Sequence, residues 1–278
     1  MFINMVKDQA WKQDIPPQKA KYPIQALEKA MAVIDAMHKG GASIGISEID
    51  TVTGIGKSTV HRILDTLMAY GYVEKEENSS KYRLSWKFFE IGHNVLAQRN
   101  LQNMNIAALR ELCEKHEESV NLGVIATDNT MVIVNRMVPQ INLVANLRLG
   151  SRLPLHASAM GKVYLCTMEL SRLRELFPNG QLESYTPNTV TSFDALLEQL
   201  KKVREQGYSI DDQEVYPGIT CIAMPIKNHQ NVTIAAVSVS GPSSRLHVSK
   251  ILSIKDDLAK ACNEASNYLG NTTCIPSE

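Results

Sequence analysis

The stretch TGIGKSTVHRIL, residues 53–64, decides between two kinds of protein. Its centre, Gly56-Lys57-Ser58, matches the end of a phosphate-binding loop, whose full pattern is G-x-x-x-x-G-K-[ST] after a buried strand. That pattern requires a glycine where the chain has Thr51, and the preceding segment ISEIDTVTG lacks the apolar run of a central strand. The alternative is that the same residues begin a helix that lies in the major groove of DNA.

The helical interpretation accounts for more of the residues around Gly56. Ser47, followed three residues later by Asp50, predicts the capped start of a short helix, and Gly54 suits a left-handed helix end. Apolar side chains then recur at helical spacing in the next helix, at Val60, Ile63, Leu64, Leu67 and Met68. A third helix is predicted upstream over 26–39, with five residues facing inward: Leu27, Ala30, Met31, Ile34 and Met37. Three such helices, the last two joined through a glycine, are typical of a helix-turn-helix.

Two short strands are predicted after these helices, around 72–73 and 82–84, with a polar turn between them, which is the pattern of a wing. In the first turn of the second helix, free N–H groups attract phosphates, and one turn further on side chains reach base edges. The wing contributes basic residues that can contact the flanking phosphate backbone of the DNA. The predicted DNA-binding residues are Lys57, Ser58, Thr59, His61, Arg62, Lys81 and Arg83. The structural alternative is a helical bundle with a few exposed basic residues.

The composition limits the class of protein. The chain has 278 residues, 44% hydrophobic and 21% charged, which is enough for two ordinary domains with a buried core. The formal net charge of zero neither favours nor excludes nucleic acid. Five widely spaced cysteines without a C-x-x-C pair argue against a zinc site or a disulfide framework, so no metal or cofactor is predicted. Without a membrane-spanning run or a signal peptide at the start, the expected location is the cytoplasm, and no membrane partner is predicted.

The chain divides into four predicted segments. These are a flexible leader over 1–21, a winged helix-turn-helix over 22–85, a linker helix over 86–103 and an α+β domain over 104–278. In the last segment the apolar period changes to two, and a hairpin is predicted around 127–130. A capped helix from about Ser192 to Gly207 and two apolar strands, ITCIAMPI and VTIAAVSVSG, follow. Short turns between neighbouring strands favour a mainly antiparallel sheet.

Enzymatic chemistry is weakly supported in the second domain. The candidates are Cys221, His156, Asp211, Asp212 and Glu214, but a free cysteine inside an apolar strand is usually a core residue. Ser158 lies four residues before Lys162 and misses the S-x-x-K spacing of serine hydrolases. No catalytic residue is therefore predicted.

A ligand-binding pocket requires fewer specifically placed residues than an active site, and the second domain offers several candidates. The segment ASAMG offers backbone N–H groups to a carboxylate at the start of a helix. Ser238 and Ser240 share one face of their strand, where they either bind a polar ligand or meet solvent. Asp212 and Glu214 share a side as well, provided that their segment is extended.

The order of these blocks resembles the IclR family of bacterial transcriptional regulators. The resemblance runs from about Tyr22 to Gly270. It is carried in the first domain by GKSTVHRILDTL and by GYVEKE followed by KYRLS. In the second domain it is carried by NLGV, LPLHASAMGKVYL, REQGYSIDDQEVYPGITCIAMPI and AAVSVSGPSSRL.

The resemblance implies a winged helix-turn-helix joined to a GAF-like domain that binds a small metabolite, in homodimers or tetramers on a palindromic operator. The effector positions that it implies are Leu143, Ala145, Ala159, Met160, Gly161, Asp212, Cys221, Ser238 and Ser240. The segment INLVANLRLG differs in polar content from the glyoxylate-responding members, whereas GKSTV, WKFFEIG and VREQGY are similar to members that repress pectin and sugar-acid degradation.

We therefore expect a ligand-responsive transcriptional regulator, a repressor of catabolic genes without catalytic activity. Its expected partners are double-stranded operator DNA, a small carboxylate or keto sugar acid, and further copies of itself. The alternatives are a small-molecule enzyme that uses Cys221 and a protein-interaction adaptor.

Overall fold

The computed structural model describes residues 20–98, 106–127, 129–141 and 147–271. The chain folds as two compact units, one spanning 17–102 and the other containing the chain from residue 103 onward. Almost all of the predicted leader, and the predicted effector residues Leu143 and Ala145, lie outside the described residues.

The first unit is a winged helix-turn-helix. Its helices are α1 (Gln25–Lys39), α2 (Ile46–Thr53), α3 (Lys57–Ala69) and α4 (Lys87–Gln98). Its strands are β1 (Ile44–Gly45), β2 (Val73–Lys75) and β3 (Lys81–Leu84), which form an antiparallel sheet in the order β1-β3-β2. The hairpin of β2 and β3 is the predicted wing, and Asn78 takes a left-handed φ of 62° in its turn.

The core of the first unit lies between the three helices and the wing. Val60 and Leu64 of α3 are fully buried, and the other three apolar residues of its predicted stripe pack against that core. In α1 the inward prediction is partly wrong, because Leu27 and Met31 are 52% and 51% exposed. The buried residues of α1 all lie in its C-terminal half, at Val33, Ala36 and Met37. Only that half of the helix packs against the rest of the unit.

The start of α2 differs from the prediction. The helix begins at Ile46, one residue before the expected cap Ser47, because Gly45 is held in β1 by its pairing with Lys81. The Gly45 N–H donates to Glu48 Oε2 at 2.7 Å, so the reciprocal half of a capping box comes from Glu48. The end of α2 is as predicted, with Gly54 at a left-handed φ of 67°.

The second unit is built on a six-stranded antiparallel sheet with the order β6-β5-β4-β9-β8-β7. The strands are β4 (Ser119–Ile125), β5 (Met131–Met137), β6 (Arg152–Leu153), β7 (Ser209–Asp212), β8 (Ile219–Lys227) and β9 (Thr233–Pro242). The helices are α5 (Ile106–His116), α6 (Ala159–Leu165), α7 (Leu170–Leu176), α8 (Phe193–Gln206) and α9 (Val248–Tyr268). The predicted hairpin of β4 and β5 is present, and Ser192 and Gly207 cap α8 as predicted.

Helices cover both faces of this sheet. One face carries Cys221 and Ala223 in a core with α6 and α8. By the period of two, Ile222, Met224 and Ile226 point to the other face, against which α9 packs. This double cover explains why the sequence of β8 is apolar throughout instead of alternating. Of the helices in the described ranges, none combines the length and the apolar character needed to cross a bilayer.

Candidate functional site

The start of α3 is shaped by two glycines. Gly54 and Gly56 both have positive φ, at 67° and 86°, and the Gly56 N–H donates to Asp50 Oδ1 at 3.0 Å. As the N-cap residue, Gly56 has no side chain to accept hydrogen bonds from the first turn. The N–H groups of Lys57 and Ser58 are therefore open to an external acceptor such as a phosphate oxygen.

The outer face of α3 carries the residues predicted to meet DNA. Lys57, Ser58, His61 and Arg62 are exposed, and Thr59 is half-buried. The opposite face is anchored in the core by Val60 and Leu64. The structure thus brings the five predicted α3 residues to one end and one side of a helix that is fixed from behind.

On the wing, alternation along β3 buries Tyr82 and exposes Lys81 and Arg83 on the other side. Arg83 already has a partner, since its Nη2 lies 2.9 Å from Glu74 Oε2 on the paired strand β2. Both side chains are about half exposed, so this ion pair is weak and easily exchanged. A phosphate that binds Arg83 has to displace the Glu74 carboxylate.

A small cavity of about 20 Å³ lies in the second unit between the sheet and the beginning of α6, with room for about one water molecule. Its apolar walls include Leu147, Leu153 and Ile219. The polar or titratable side chains that line it are Ser158, Asp211, Tyr216, Cys221, Ser238 and Ser240.

Five of the predicted effector residues line this cavity, namely Ala159, Met160, Cys221, Ser238 and Ser240. Gly161 is not among the lining residues, and a Cβ atom there would clash with the carbonyl oxygen of Leu155. Its role is therefore to let α6 approach the preceding loop. The two serines, which the sequence left between ligand and solvent, are both buried.

Asp212 is not brought to the cavity, and its neighbour Asp211 lies there instead. Along β7, Ser209 and Asp211 point inward and Asp212 is exposed. The expectation that Asp212 and Glu214 share a side is wrong, because the strand ends at Asp212 and Gln213 turns with a φ of 60°. The alternation on which that expectation rested stops at this turn.

Asp211 is a buried carboxyl group with a raised pKa. Burial raises its pKa from 3.8 to about 7, against the opposing effects of the Glu214 N–H, which donates to Asp211 Oδ1 at 2.7 Å, and of the Lys162 ammonium. Near neutral pH this carboxyl therefore exists in both its protonated and its ionised form.

Lys162 and Glu214 form a buried ion pair beside Asp211. The Lys162 Nζ lies 2.5 Å from Glu214 Oε1 and also donates to Gln199 Oε1 at 3.1 Å. Both charged side chains are almost fully excluded from solvent, at 2% and 7% exposure. Burial raises the pKa of Glu214, and Lys162 partly offsets this effect. The sequence alone gives no signal for this pair, because Lys162 and Glu214 are 52 positions apart.

Asn121 is a residue of the site that sequence analysis missed. It is fully buried on β4, and its Nδ2 lies 3.2 Å from Ser240 Oγ and 3.4 Å from Ser238 Oγ. The contact arises because β4 pairs with β9, with Asn121 opposite Ser238. The NLGV motif contained the only sequence signal, and it did not show which strand lies beside β4.

Cys221 does not have the surroundings of a nucleophile. Burial raises the pKa of its thiol, and the negative charge of Asp211 raises it further. His156, the proposed partner, is occupied elsewhere, because its Nε2 lies 2.8 Å from the Glu183 carbonyl oxygen and its ring stacks on Tyr185. The thiol is therefore a neutral group in the cavity wall.

A wider groove of about 740 Å³ lies elsewhere in the second unit, between α7, α8 and the end of β8. Leucines of both helices form its base, and Lys201, Arg204 and Glu198 lie at its exposed rim. Of the predicted effector residues that the structure describes, none lines this groove.

Comparison with known families assigns both units of the chain to one family. Two family models match the chain, "IclR helix-turn-helix domain" over 26–77 and "Bacterial transcriptional regulator IclR C-terminal" over 93–267. The chain belongs to the IclR family of bacterial transcriptional regulators. The resemblance deduced from the sequence is thereby confirmed.

Relatives along nearly the whole chain support this membership. The HTH-type transcriptional regulator KdgR of Escherichia coli is 32% identical over 247 residues, which cover 89% of this chain and 93% of KdgR. The HTH-type transcriptional repressor AllR of the same species is 30% identical over 246 residues, or 88% and 90% of the two chains. Because these relatives are regulators and not enzymes, the prediction of no catalytic activity is confirmed.

A solved structure shows the same fold. An IclR homologue from Microbacterium hydrocarbonoxydans, crystallised with 4-hydroxybenzoate, superposes with a TM-score of 0.77 at 24% identity. The superposition covers 88% of this chain and 99% of the homologue.

Proposed function

We propose that this IclR-family protein is a repressor that binds operator DNA through α3 and the wing and responds to a small organic acid bound in the cavity of its second unit. Because it acts on the chromosome, its place of action is the cytoplasm. The observation that carries the proposal is the open first turn of α3, with exposed Lys57, His61 and Arg62 on a helix anchored by Val60 and Leu64.

The DNA contacts follow from the chemistry of each residue. Lys57 and the first N–H groups of α3 bind a phosphate, which fixes the position of the helix on the duplex. Arg62 and His61 lie one turn further and contact base edges, with guanine as the preferred partner of Arg62. Lys81 and Arg83 on the wing bind the neighbouring backbone and add to the salt dependence of the affinity.

The polar character of the cavity favours an acid as the effector. Ser238 and Ser240 place hydroxyl groups at the cavity, and Ala159 and Met160 line it at the start of α6. The Ser158 hydroxyl is not available as a donor, because it already donates to the Pro154 carbonyl oxygen at 2.6 Å. A carboxylate with further hydroxyl or keto oxygens, such as a keto sugar acid, matches several donors within an otherwise apolar lining. The homologue crystallised with 4-hydroxybenzoate, an aromatic acid, is consistent with an acid effector.

The size of the cavity supports a change of state on binding. A volume of about 20 Å³ is far below the several hundred Å³ of typical ligand pockets. An acid of this class therefore binds a second, more open conformation of the domain. If that conformation has a lower affinity for the operator, binding of the acid shifts the population away from the DNA-bound state.

Exposed apolar side chains support association of the chain with further copies of itself. Leu27 and Met31 of α1 are half exposed, and Phe89, Ile91 and Val95 of α4 are 44–64% exposed. Leu27 and Met31, and likewise Ile91 and Val95, are one turn apart on their helices, and clusters of exposed large apolar side chains mark an interaction surface. We propose a homodimer formed through the first unit, which presents two copies of α3 to the two halves of a palindrome.

The test is a titration of the full chain against the DNA upstream of its own gene, at two salt concentrations. Wild type is compared with Arg62→Ala and with Arg172→Ala, which removes an exposed arginine from the second unit. Arg62→Ala is expected to weaken specific binding by about 1–3 kcal/mol. Arg172→Ala is expected to leave it unchanged.

The same titration is repeated with 2-keto-D-gluconate, D-gluconate and glyoxylate, and an effector is expected to release the DNA. Salt-insensitive binding that is indifferent to Arg62→Ala would contradict the DNA half of the proposal and favour a protein-binding adaptor. Operator binding that no acid alters would contradict the effector half.

A further inference from the structure

We propose that Asp211 meets the effector carboxylate as a protonated acid, so that each effector molecule binds together with one proton and the affinity falls as the pH rises. This inference rests on the proposed function and adds a regulatory property to the same cavity. It makes the regulator respond to an organic acid and to acidification together.

The first support is the position of Asp211. It is 4% exposed on β7 and lines the cavity opposite Cys221, which in turn lies opposite Ser240. Its Oδ1 is occupied by the N–H of Glu214 at 2.7 Å and faces that of Val215 at 3.4 Å. The second oxygen is left to meet a ligand in the cavity.

The second support is the balance of charge around Asp211. The cation packed beside it is Lys162 of α6, whose Nζ is already paired with Glu214 at 2.5 Å. From α8, the neutral amide of Gln199 accepts a hydrogen bond from Lys162 at 3.1 Å and adds no charge to the cluster. The remaining titratable neighbours, Cys221 of β8 and Tyr216 of the loop after β7, have pKa values raised by burial and stay neutral at physiological pH.

An ionised effector therefore brings a third carboxylate to a buried cluster with one ammonium. Two carboxylates that share a dry site cannot both stay ionised, and one of them takes up a proton. The effector carboxylate is the weaker base in solution, whereas the pKa of Asp211 is already raised to about 7 by burial. The proton therefore goes to Asp211, and its O–H donates to the effector carboxylate in a strong charge-assisted hydrogen bond.

The expected pH dependence follows from the linkage of proton and ligand. Well below the pKa of about 7, Asp211 already holds its proton and the affinity is independent of pH. Above it, one proton must be taken up for each effector bound. The dissociation constant then rises by about tenfold for each pH unit.

The experiment is isothermal titration calorimetry of the full chain with 2-keto-D-gluconate, D-gluconate and glyoxylate between pH 5.5 and pH 9. Each pH is measured in two buffers of different ionisation enthalpy, since the difference in heat gives the number of protons taken up. We expect about zero protons at the acid end and about one at the alkaline end.

Two variants locate the proton. Asp211→Asn keeps a hydrogen-bond donor at the position but cannot titrate, so its affinity should not depend on pH and its proton uptake should vanish. Asp212→Asn removes a carboxylate from the exposed neighbour and should behave like wild type.

Each outcome separates this inference from the proposed function. An acid that binds wild type with the same affinity and no proton uptake across the range overturns the inference and leaves the effector proposal intact. Tighter binding at alkaline pH also overturns it, because Asp211 then acts as an ionised acceptor. If no acid of the panel binds at any pH, the effector proposal itself fails. The number of protons that wild type takes up on binding tests the inference even if Asp211→Asn does not fold.

Discussion

At the scale of single residues, Arg83 of the wing has two possible negatively charged partners, Glu74 and a DNA phosphate. In the free protein its guanidinium is paired with Glu74 across β2 and β3. Both Nε and Nη2 of Arg83 donate to the single oxygen Glu74 Oε2, and a DNA phosphate offers charged acceptor oxygens to the same two nitrogens. In the DNA complex that we propose, Glu74 therefore competes with the phosphate for Arg83 and lowers the contribution of the wing to DNA affinity.

Replacement of Glu74 by Gln should consequently strengthen operator binding, by about 3–10-fold at low salt, and steepen its salt dependence by about one released counterion. The control is Glu77→Gln, which removes an equal charge from the exposed wing turn. The measurement is fluorescence anisotropy with labelled operator over a range of salt concentrations. Equal effects of the two variants would show that only the net charge of the wing matters.

At the scale of elements, α6 is held close to the loop before it and to the sheet behind it. Gly161 lets the helix approach the Leu155 backbone, and the next residue, Lys162, reaches Glu214 after β7. The ion pair therefore joins a helix to the loop that carries Val215 and Tyr216 into the cavity wall. A buried pair of this kind contributes little net stability, but the loss of one partner is costly.

Lys162→Met should therefore destabilise the second unit by about 3–5 kcal/mol at pH 7, because it leaves Glu214 buried without its cation. The double variant Lys162→Met with Glu214→Leu should recover most of this loss. Arg172→Met, which breaks the exposed pair with Glu175, should cost less than about 1 kcal/mol. Urea unfolding followed by circular dichroism measures all three. If Lys162→Met alone lowers the free energy of unfolding no more than Arg172→Met does, Glu214 is protonated in the variant at no cost in stability.

At the scale of the whole molecule, the proposed dimer depends on apolar side chains of the first unit. Phe89 is 64% exposed on α4 and packs edge-to-face against the exposed Trp86, with ring centroids 6.3 Å apart. Aromatic clusters of this kind are enriched at protein interfaces. In the assembled protein we expect this cluster to be covered by a second copy.

Sedimentation velocity should give a mass of twice or four times the 30.9 kDa of one chain. Phe89→Glu should raise the dimer dissociation constant by about 10-fold or more, since it places a charge in an apolar contact. Asn94→Glu, an exposed polar position of the same helix, should have little effect. A monomer at all concentrations for wild type, or equal effects of the two variants, would place the interface elsewhere.

Much of the fold was predictable because its signals are local. The stripe of α3, the left-handed Gly54, the capped α8 and the hairpin of β4 and β5 each depend on residues within about twenty positions of one another. Spacing and turn chemistry over such distances specify an element without reference to the rest of the chain. The same locality explains why the α3 residues could be proposed as a DNA-binding set from the sequence.

The sequence by itself determined the helix-turn-helix, the wing and the antiparallel order of neighbouring strands, along with the two serines of β9 on one face. Only the tertiary structure decided which side chains meet around the cavity. Asn121 reaches Ser238 across 117 positions and Lys162 reaches Glu214 across 52. Asp211 and not Asp212 lies at the cavity because Ser209 and Asp211 share the buried face of β7 and Asp211 pairs with Cys221. Contacts of this kind depend on strand order and on where a strand stops, and both are set by packing of the whole domain.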